Sequence, residues 1–334
     1  AAMKNKKSRE KSLFLIYLEY IPFYLLYHLL HLLPLKAGYA LSGFLFRLLL
    51  VFDRRHHTRS VQHLLHAGIA KDKAQARRLT VASYLEFSKL LVEIVKMDQL
   101  YDPAKIRVVG SQAAIDISLS QEHDNKPVII ATAHYGNWEV AGTAYAEKAR
   151  IPMTSFMRPF SNPLIGKMIL DHRAGDMHKL VDKREGIRPI LRAISQNRIT
   201  TMLIDQHAGA NEGITCEFFG HPACVHMTPA LLHLKTGIPI IPELTRRVPG
   251  DNFEFEILVG DPIIYTPTGN KEHDVQIVTQ MCITALEKLI REEPIQWLWA
   301  PRHWLDINRR QAAEYKDWKP SPELAKIAET ATRP

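Results

Sequence analysis

Between residues 106 and 258 the chain repeats one pattern. Short apolar runs, bounded by polar or glycine-containing turns, alternate with longer stretches whose apolar positions recur at helical spacing. The runs at 107–109, 128–133, 153–156, 179–181, 201–204, 216–219, 240–244 and 253–258 are strand-length, and several carry no charge, as strands buried on both faces do. Helical periodicity begins at 138, 163, 187 and 228, and a long helix is predicted over 274–292. This alternation predicts an α/β fold with a mostly parallel sheet covered by helices on both faces. Upstream the pattern changes. Residues 12–33 and 37–52 are almost continuously apolar, separated by Pro34-Leu35-Lys36, and helices are predicted at 58–67 and 72–97. The domains expected are membrane-associating helices at 1–57, an α/β domain at 58–310, and a loosely attached polar tail at 311–334.

The two apolar arms lie between Lys4, Lys6, Lys7, Arg9 and Lys11 on one side and Arg54-Arg55-His56-His57 on the other. Basic residues favour the cytoplasmic face, so both outer ends are expected on the same side. A pair of helices lying in, or dipping into, one leaflet satisfies this better than a single span. Tyr17, Tyr20, Tyr24, Tyr27, His28 and His31 form a polar-aromatic stripe opposite Leu15, Leu18, Leu25, Leu29 and Leu32. The first apolar segment is too long for a signal peptide and lacks a small-residue cleavage site, so it is expected to be retained.

The stretch from Pro127 to Val140 concentrates the candidate chemistry. A buried strand is expected to stop at His134-Tyr135-Gly136, and Asn137 is a suitable N-cap for a helix starting at Trp138. A histidine therefore stands at the carboxyl end of a strand, where open α/β sheets gather their chemistry. Glu139, across the turn, is placed to orient that imidazole, and an imidazole so held can take a proton from a hydroxyl. Arg158 follows another strand and Asn162 opens the next helix. Both face the same rim, where Arg158 suits a phosphate. Asp205 and Gln206 close the 201–204 strand and point to the rim as well.

Composition narrows the partners. The net charge of +8 calls for anionic surfaces or ligands, but no nucleic-acid-binding pattern is present. Anionic lipid, a phosphorylated glycolipid or an acidic carrier protein fits better. Three cysteines, Cys216, Cys224 and Cys282, give no disulfide framework. With His207, His221 and His226 they match no common zinc spacing, and no metal is expected. Serine-hydrolase, dinucleotide and Walker signatures are absent.

The string His134-Tyr135-Gly136-Asn137-Trp138-Glu139 resembles the His-x4-Asp/Glu motif of the glycerolipid acyltransferase superfamily. Its Gly-Asn-Trp-Glu wording is similar to the lipid A biosynthesis (lauroyl/myristoyl) branch. The order that follows resembles that branch too: an Asp205-Gln206 turn, Phe218-Phe219-Gly220, and a helix opening at Thr228. Trp297 to Trp304 is similar to the family's terminal pattern, although Pro301-Arg302-His303 stands where His-Arg-Arg is usual, leaving Arg302 as the matching cation. The resemblance implies an enzyme on the cytoplasmic face of a bacterial inner membrane. It would move a fatty acyl group from acyl carrier protein or CoA to a hydroxyl of a glycolipid, a lipid A precursor. His134 and Glu139 would be catalytic, and Arg158, Asn162, Asp205, Gln206 and Arg302 would contact substrate. No cofactor beyond the acyl thioester is implied. A mannosylated phosphoinositide or lysophospholipid acceptor, or a silent lipid-binding protein, are the alternatives.

Overall fold

The computed structural model describes residues 12–119, 127–157, 160–171, 177–182, 186–209, 211–307 and 311–332. The apolar arms form α1 (Leu13–Leu32) and α2 (Leu35–Phe52). Next come α3 (Arg54–His66), α4 (Lys73–Val95) and the short α5 (Met97–Leu100). The alternating region supplies β1 (Ile106–Gly110), α6 (Gln112–Ser118), β2 (Ile129–Gly136), α7 (Trp138–Ala149), β3 (Met153–Met157), α8 (Pro163–Asp171), β4 (His178–Asp182), α9 (Arg188–Ser195) and β5 (Ile199–Leu203). It continues with β6 (Gly213–Phe218), β7 (His221–His226), α10 (Thr228–Thr236), β8 (Ile240–Arg247), β9 (Phe255–Val259) and α11 (Lys271–Glu292). Two helices close the chain, α12 (Ala312–Tyr315) and α13 (Pro322–Ala328).

Seven strands pair in the order β1-β9-β8-β2-β5-β3-β4. Every pairing is parallel except β8 with β9, which makes the sheet mostly parallel as the alternation predicts. Residues 216–219 depart from that expectation. They end β6, which pairs antiparallel with β7 as a separate hairpin outside the sheet. A strand run cannot reveal its partner, because period-2 patterning sets a face and not a neighbour.

Apolar cores lie on both faces of the sheet. Ile129, Ala131 and Ala133 of β2 pack with Ile240, Val278, Ile283 and the tryptophans of the C-terminal segment. Ile130, on the opposite face, packs with Val140, Ala144, Tyr145 and Ile241. The alternate positions of one strand thus serve two cores, which explains its uncharged sequence.

A third core holds the N-terminal helices to the body: Tyr27 and Leu30 of α1 and Tyr39 of α2 meet Val92 and Val95 of α4. The fit of α2 on α4 is close, since a Cβ on Gly38 would lie 2.9 Å from Val92 Cγ1. The rest of the pair faces outward. Leu13, Phe14, Leu18, Leu25, Leu32, Phe44, Val51 and Phe52 are exposed, and both helices are long and apolar enough to cross a membrane. The tyrosine stripe divides accordingly. Tyr27 turns inward, and His31 Nε2 meets Asp98 at 3.0 Å, while the leucine face is left to the surroundings. The lysines before residue 12 lie outside the described residues. The C-terminal segment is not loose: Leu324, Ala328 and Ala331 are buried, and α13 docks on α11.

Candidate active site

The strand β2 runs through His134 and Tyr135 to Gly136, three residues beyond the predicted run 128–133, with a register shift against β8 between Thr132 and Gly136. The continuation is paired from the other side. Leu298 N–H donates to His134 O at 3.0 Å and Tyr135 bridges Trp297, so the C-terminal Trp297–Trp304 segment supports the strand end. Gly136 then turns the chain with φ +52°. A Cβ there would stand 1.9 Å from Thr245 O, so no other residue fits. Asn137 caps α7 as expected, its Oδ1 accepting from the backbone N–H groups of Glu139 at 3.1 Å and Val140 at 2.9 Å.

A buried charge network fixes this turn from behind. Asn137 Nδ2 donates to Glu93 Oε2 at 2.9 Å. Glu93 also accepts from Tyr39 at 2.9 Å, and Arg247 grips it with Nε and, at 2.7 Å, Nη2. Arg247 Nη1 reaches Glu86 at 2.8 Å, and the Gln296 side chain holds the Arg247 backbone N–H and C=O. The site turn, α2, α4 and β8 are thereby joined by one bidentate, nearly water-free ion pair.

At the rim, His134 Nδ1 lies 2.8 Å from Asp205 Oδ1, and His134 N–H donates to Asp205 Oδ2 at 3.1 Å. The Asp205 side chain is fully buried. Its second oxygen also accepts from Trp297 Nε1 at 2.9 Å. Burial alone would raise this carboxyl, but His134 and the indole N–H outweigh it and hold Asp205 down to about 2. At neutral pH Asp205 is therefore an ionised acceptor, so the His134 nitrogen facing it, Nδ1, carries a proton, and Nε2 is the nitrogen that Asp205 does not hold. Gln206 Nε2 stands 3.2 and 3.3 Å from the two ring nitrogens. Near-equal distances place it over the ring face, away from the in-plane lone pair. Trp138 packs edge-on at 5.1 Å, and the His134 side chain keeps 22% exposure, enough to meet a ligand.

Beneath the pair, His303 Nδ1 donates to the Asp205 backbone carbonyl at 2.8 Å, and its ring lies 4.4 Å from that of Trp297. Burial lowers His303 and drives His63, which donates to Trp299 O at 2.8 Å, down to about 2. Both are neutral supports.

The orienting carboxylate is thus Asp205, where the sequence pointed to Glu139. Among the described residues no hydrogen bond joins Glu139 to His134, and Glu139 sits half-buried in the first turn of α7. Asp205, expected to touch substrate, is sealed beneath the imidazole. Asn162 is also reassigned. It is buried, its Nδ2 donates to Ile16 O at 2.9 Å and Glu19 Oε2 at 3.1 Å, and its Oδ1 caps α8, so it ties α8 to α1. Arg158 lies outside the described residues. Arg302 is exposed, and its backbone carbonyl accepts from His207 N–H at 2.9 Å, which puts it beside the Asp205 turn.

Two groups went unread in the sequence. Trp297 orients Asp205, a role its packing-like context conceals. Arg59, within the helix predicted at 58–67, donates to Ala300 O at 3.0 Å. Burial and the charges of Arg55 and Arg302 lower its guanidinium, which marks a cluster of cations on this side of the molecule suited to an anion.

An imidazole with one nitrogen locked to a buried carboxylate at the carboxyl rim of a parallel sheet has the arrangement that a general base needs. With two outward-facing apolar helices alongside, it defines a lipid-suited α/β protein. The bacterial lipid A biosynthesis acyltransferase model matches residues 4–306, and the chain belongs to that family. Among curated proteins it is similar to the phosphatidylinositol mannoside acyltransferases of Mycobacterium tuberculosis strains H37Rv and CDC 1551. Each is 23% identical over 215 residues, covering 63% of this chain and 64% of the relative. The match therefore spans less than two thirds of those proteins' length.

Proposed function

We propose that this protein is a membrane-associated O-acyltransferase that moves a fatty acyl group from acyl carrier protein or CoA to a hydroxyl of a glycolipid, a lipid A precursor. The observation that carries the reading is the 2.8 Å contact of His134 Nδ1 with the buried Asp205 carboxylate. With Nδ1 occupied, Nε2 takes the proton as the acceptor oxygen attacks the thioester carbonyl. The C–O bond forms, the C–S bond breaks, and the thiolate leaves to be protonated. Asp205 stabilises the imidazolium formed on the way. Thiolate is a good leaving group, so no acyl-enzyme is needed. Arg302, Arg59 and, as the sequence reading has it, Arg158 are suited to the phosphates of acceptor or carrier. Glu139 remains a candidate for contact with substrate from the first turn of α7. The family match supports the lipid A acceptor; the relatives' printed names support a mannosylated phosphoinositide as the second reading.

The exposed leucines and phenylalanines of α1 and α2 support attachment to a membrane, and the basic residues flanking them in the sequence favour the cytoplasmic face of the inner membrane. The test is turnover by the purified full chain with acyl carrier protein and CoA donors against both acceptor classes. His134→Ala should lose about 10²–10⁴ in rate while staying folded. Transfer to the phosphoinositide alone would move the acceptor assignment. Undiminished transfer by folded His134→Ala would overturn the base.

A further inference from the structure

A second imidazole–carboxylate cluster lies outside the catalytic pair. His66, in the last turn of α3, has Nε2 3.0 Å from Asp306 Oδ1. His221, at the start of β7, has Nδ1 3.0 Å from Asp306 Oδ2. The two rings are stacked, with centroids 3.5 Å apart and planes 26° apart. Their side chains are 14% and 33% exposed, and that of Asp306 15%. One nitrogen of each ring and the carboxylate all lie within 4.8 Å of one another.

We infer that His66, His221 and Asp306 bind one divalent transition-metal ion of the zinc class, which fastens α3 to the β6–β7 hairpin and to the segment following Trp304. Two imidazoles stacked this closely, with their nitrogens aimed at one carboxylate, align their dipoles unfavourably. A cation where the two lone pairs and the carboxylate converge removes that conflict. The donor set is two nitrogens and one oxygen, which suits zinc better than calcium or magnesium with their all-oxygen shells. Ligands at about 2.0–2.2 Å from a tetrahedral ion stand roughly 3.3 Å apart, so small side-chain rotations close the set. Trp304 packs edge-on against His66 at 5.4 Å and shields one side. The more open His221 side leaves room for water as a fourth ligand.

Placement of the cluster suggests a structural role. Asp306 follows His303 and Trp304, the residues that brace the Asp205 carbonyl and the β6 end, Trp304 through a 2.7 Å bond from its Nε1 to Phe218 O. A metal at Asp306 would anchor that bracing segment to α3. The sequence concealed the set because His221 and His66 stand 85 and 240 positions from Asp306, far from any zinc spacing.

The full-length protein in detergent, stripped with chelator and dialysed against Zn²⁺, should retain one equivalent per chain by elemental analysis. Co²⁺ in place of Zn²⁺ should give a ligand-field spectrum of tetrahedral intensity, and Zn²⁺ should raise the thermal midpoint of the stripped protein. The double variant His66→Gln/His221→Gln should lose all three signals. Asp306→Asn, nearly isosteric, gives a second variant should the first fail to fold, and should lose the retained equivalent too. Substoichiometric retention by the wild type, or equal retention by folded variants, would overturn the site and leave a hydrogen-bonded cluster.

Discussion

Two buried carboxylates flank β2, one on each side, and they behave in opposite ways. Asp205 follows β5 and Glu243 lies in β8, the two strands that pair with β2. Both are almost completely removed from water, and burial acts to raise both. Asp205 receives the His134 ring and backbone N–H groups and the Trp297 indole, and it is held down to about 2. Glu243 receives a hydrogen bond from the Thr245 hydroxyl at 2.7 Å, too little to offset desolvation, and it is pushed up to about 7. Depth does not decide the charge state of a buried acid in this molecule; the number and charge of its donors do. The ionised acid is the one beside the histidine, where, in the proposed mechanism, a fixed negative charge would stabilise the developing imidazolium.

The largest expected effect tests that assignment. Asp205→Asn keeps the shape and removes the charge, so acyl transfer should fall by about 10²–10⁴, approaching the loss in His134→Ala. The double variant should be little worse than either single one, because the two act as a unit. Glu139→Gln combined with Asp205→Asn should instead multiply the losses if Glu139 meets substrate independently of the His134–Asp205 pair, as proposed. Wild-type rates in Asp205→Asn, measured with saturating donor and acceptor, would remove the contrast between the two acids.

A third buried carboxylate extends the comparison. Glu93 pairs with Arg247, and its partners reach both the site turn and α2. Arg247→Met should destabilise the fold by about 3–5 kcal/mol, because it leaves a buried charge unpaired. Denaturant unfolding of the detergent-solubilised protein measures this. Adding Glu93→Gln should recover part of the loss, and failure to recover any would mean that Arg247 acts chiefly through packing.

Much of this was legible in the sequence. The uncharged strand ending in His134, the Asn137 cap and the alternation of elements follow from period and turn chemistry, which are local. Outward leucines on α1 and α2 were legible for the same reason. Partner choice was not. Glu139 is five positions from His134 and Asp205 is 71 away, so proximity along the chain favoured Glu139 over the carboxylate that the structure sets against the ring. Only the pairing of β2 with β5 brings Asp205 under the ring. Asn162 reads like a rim residue because N-caps and ligand-binding amides share a chemistry. Arg247, the last residue of β8, gave no sign of burial, because its partners Glu86 and Glu93 lie on α4, 161 and 154 positions away.

Linkage supplies the third test. Glu243 has a folded value raised from 4.5 to about 7, so its contribution to stability is full below 4.5 and is lost as pH rises through about 7. Asp205 has a folded value lowered from 3.8 to about 2, so its contribution is present above 3.8 and is lost as pH falls through about 2. Glu243→Gln should therefore stabilise the protein by about 3 kcal/mol at pH 8 and leave it unchanged near pH 4. Asp205→Asn should flatten the acid limb of the same stability curve. A pH-independent effect of Glu243→Gln would show that this carboxyl titrates alike in the folded and unfolded chain.

The smallest effect isolates the donor count itself. Thr245 supplies Glu243 with its hydroxyl hydrogen bond, and Thr245→Val removes that donor while keeping the side chain's size. Glu243 should then ionise at still higher pH, because the bond that favours its charged form is gone. Stability at pH 8 should drop by about 1 kcal/mol, the ordinary worth of one hydrogen bond, with little change at pH 4. The alkaline limb of the stability curve should still start near 4.5 but continue to higher pH, and so fall further. In a Glu243→Gln background the pH dependence of Thr245→Val should vanish, since no titrating group remains for the hydroxyl to stabilise. If it persists there, Thr245 acts through the neighbouring Gly136 turn, whose backbone it approaches, and the contrast between the two acids rests on Asp205 alone.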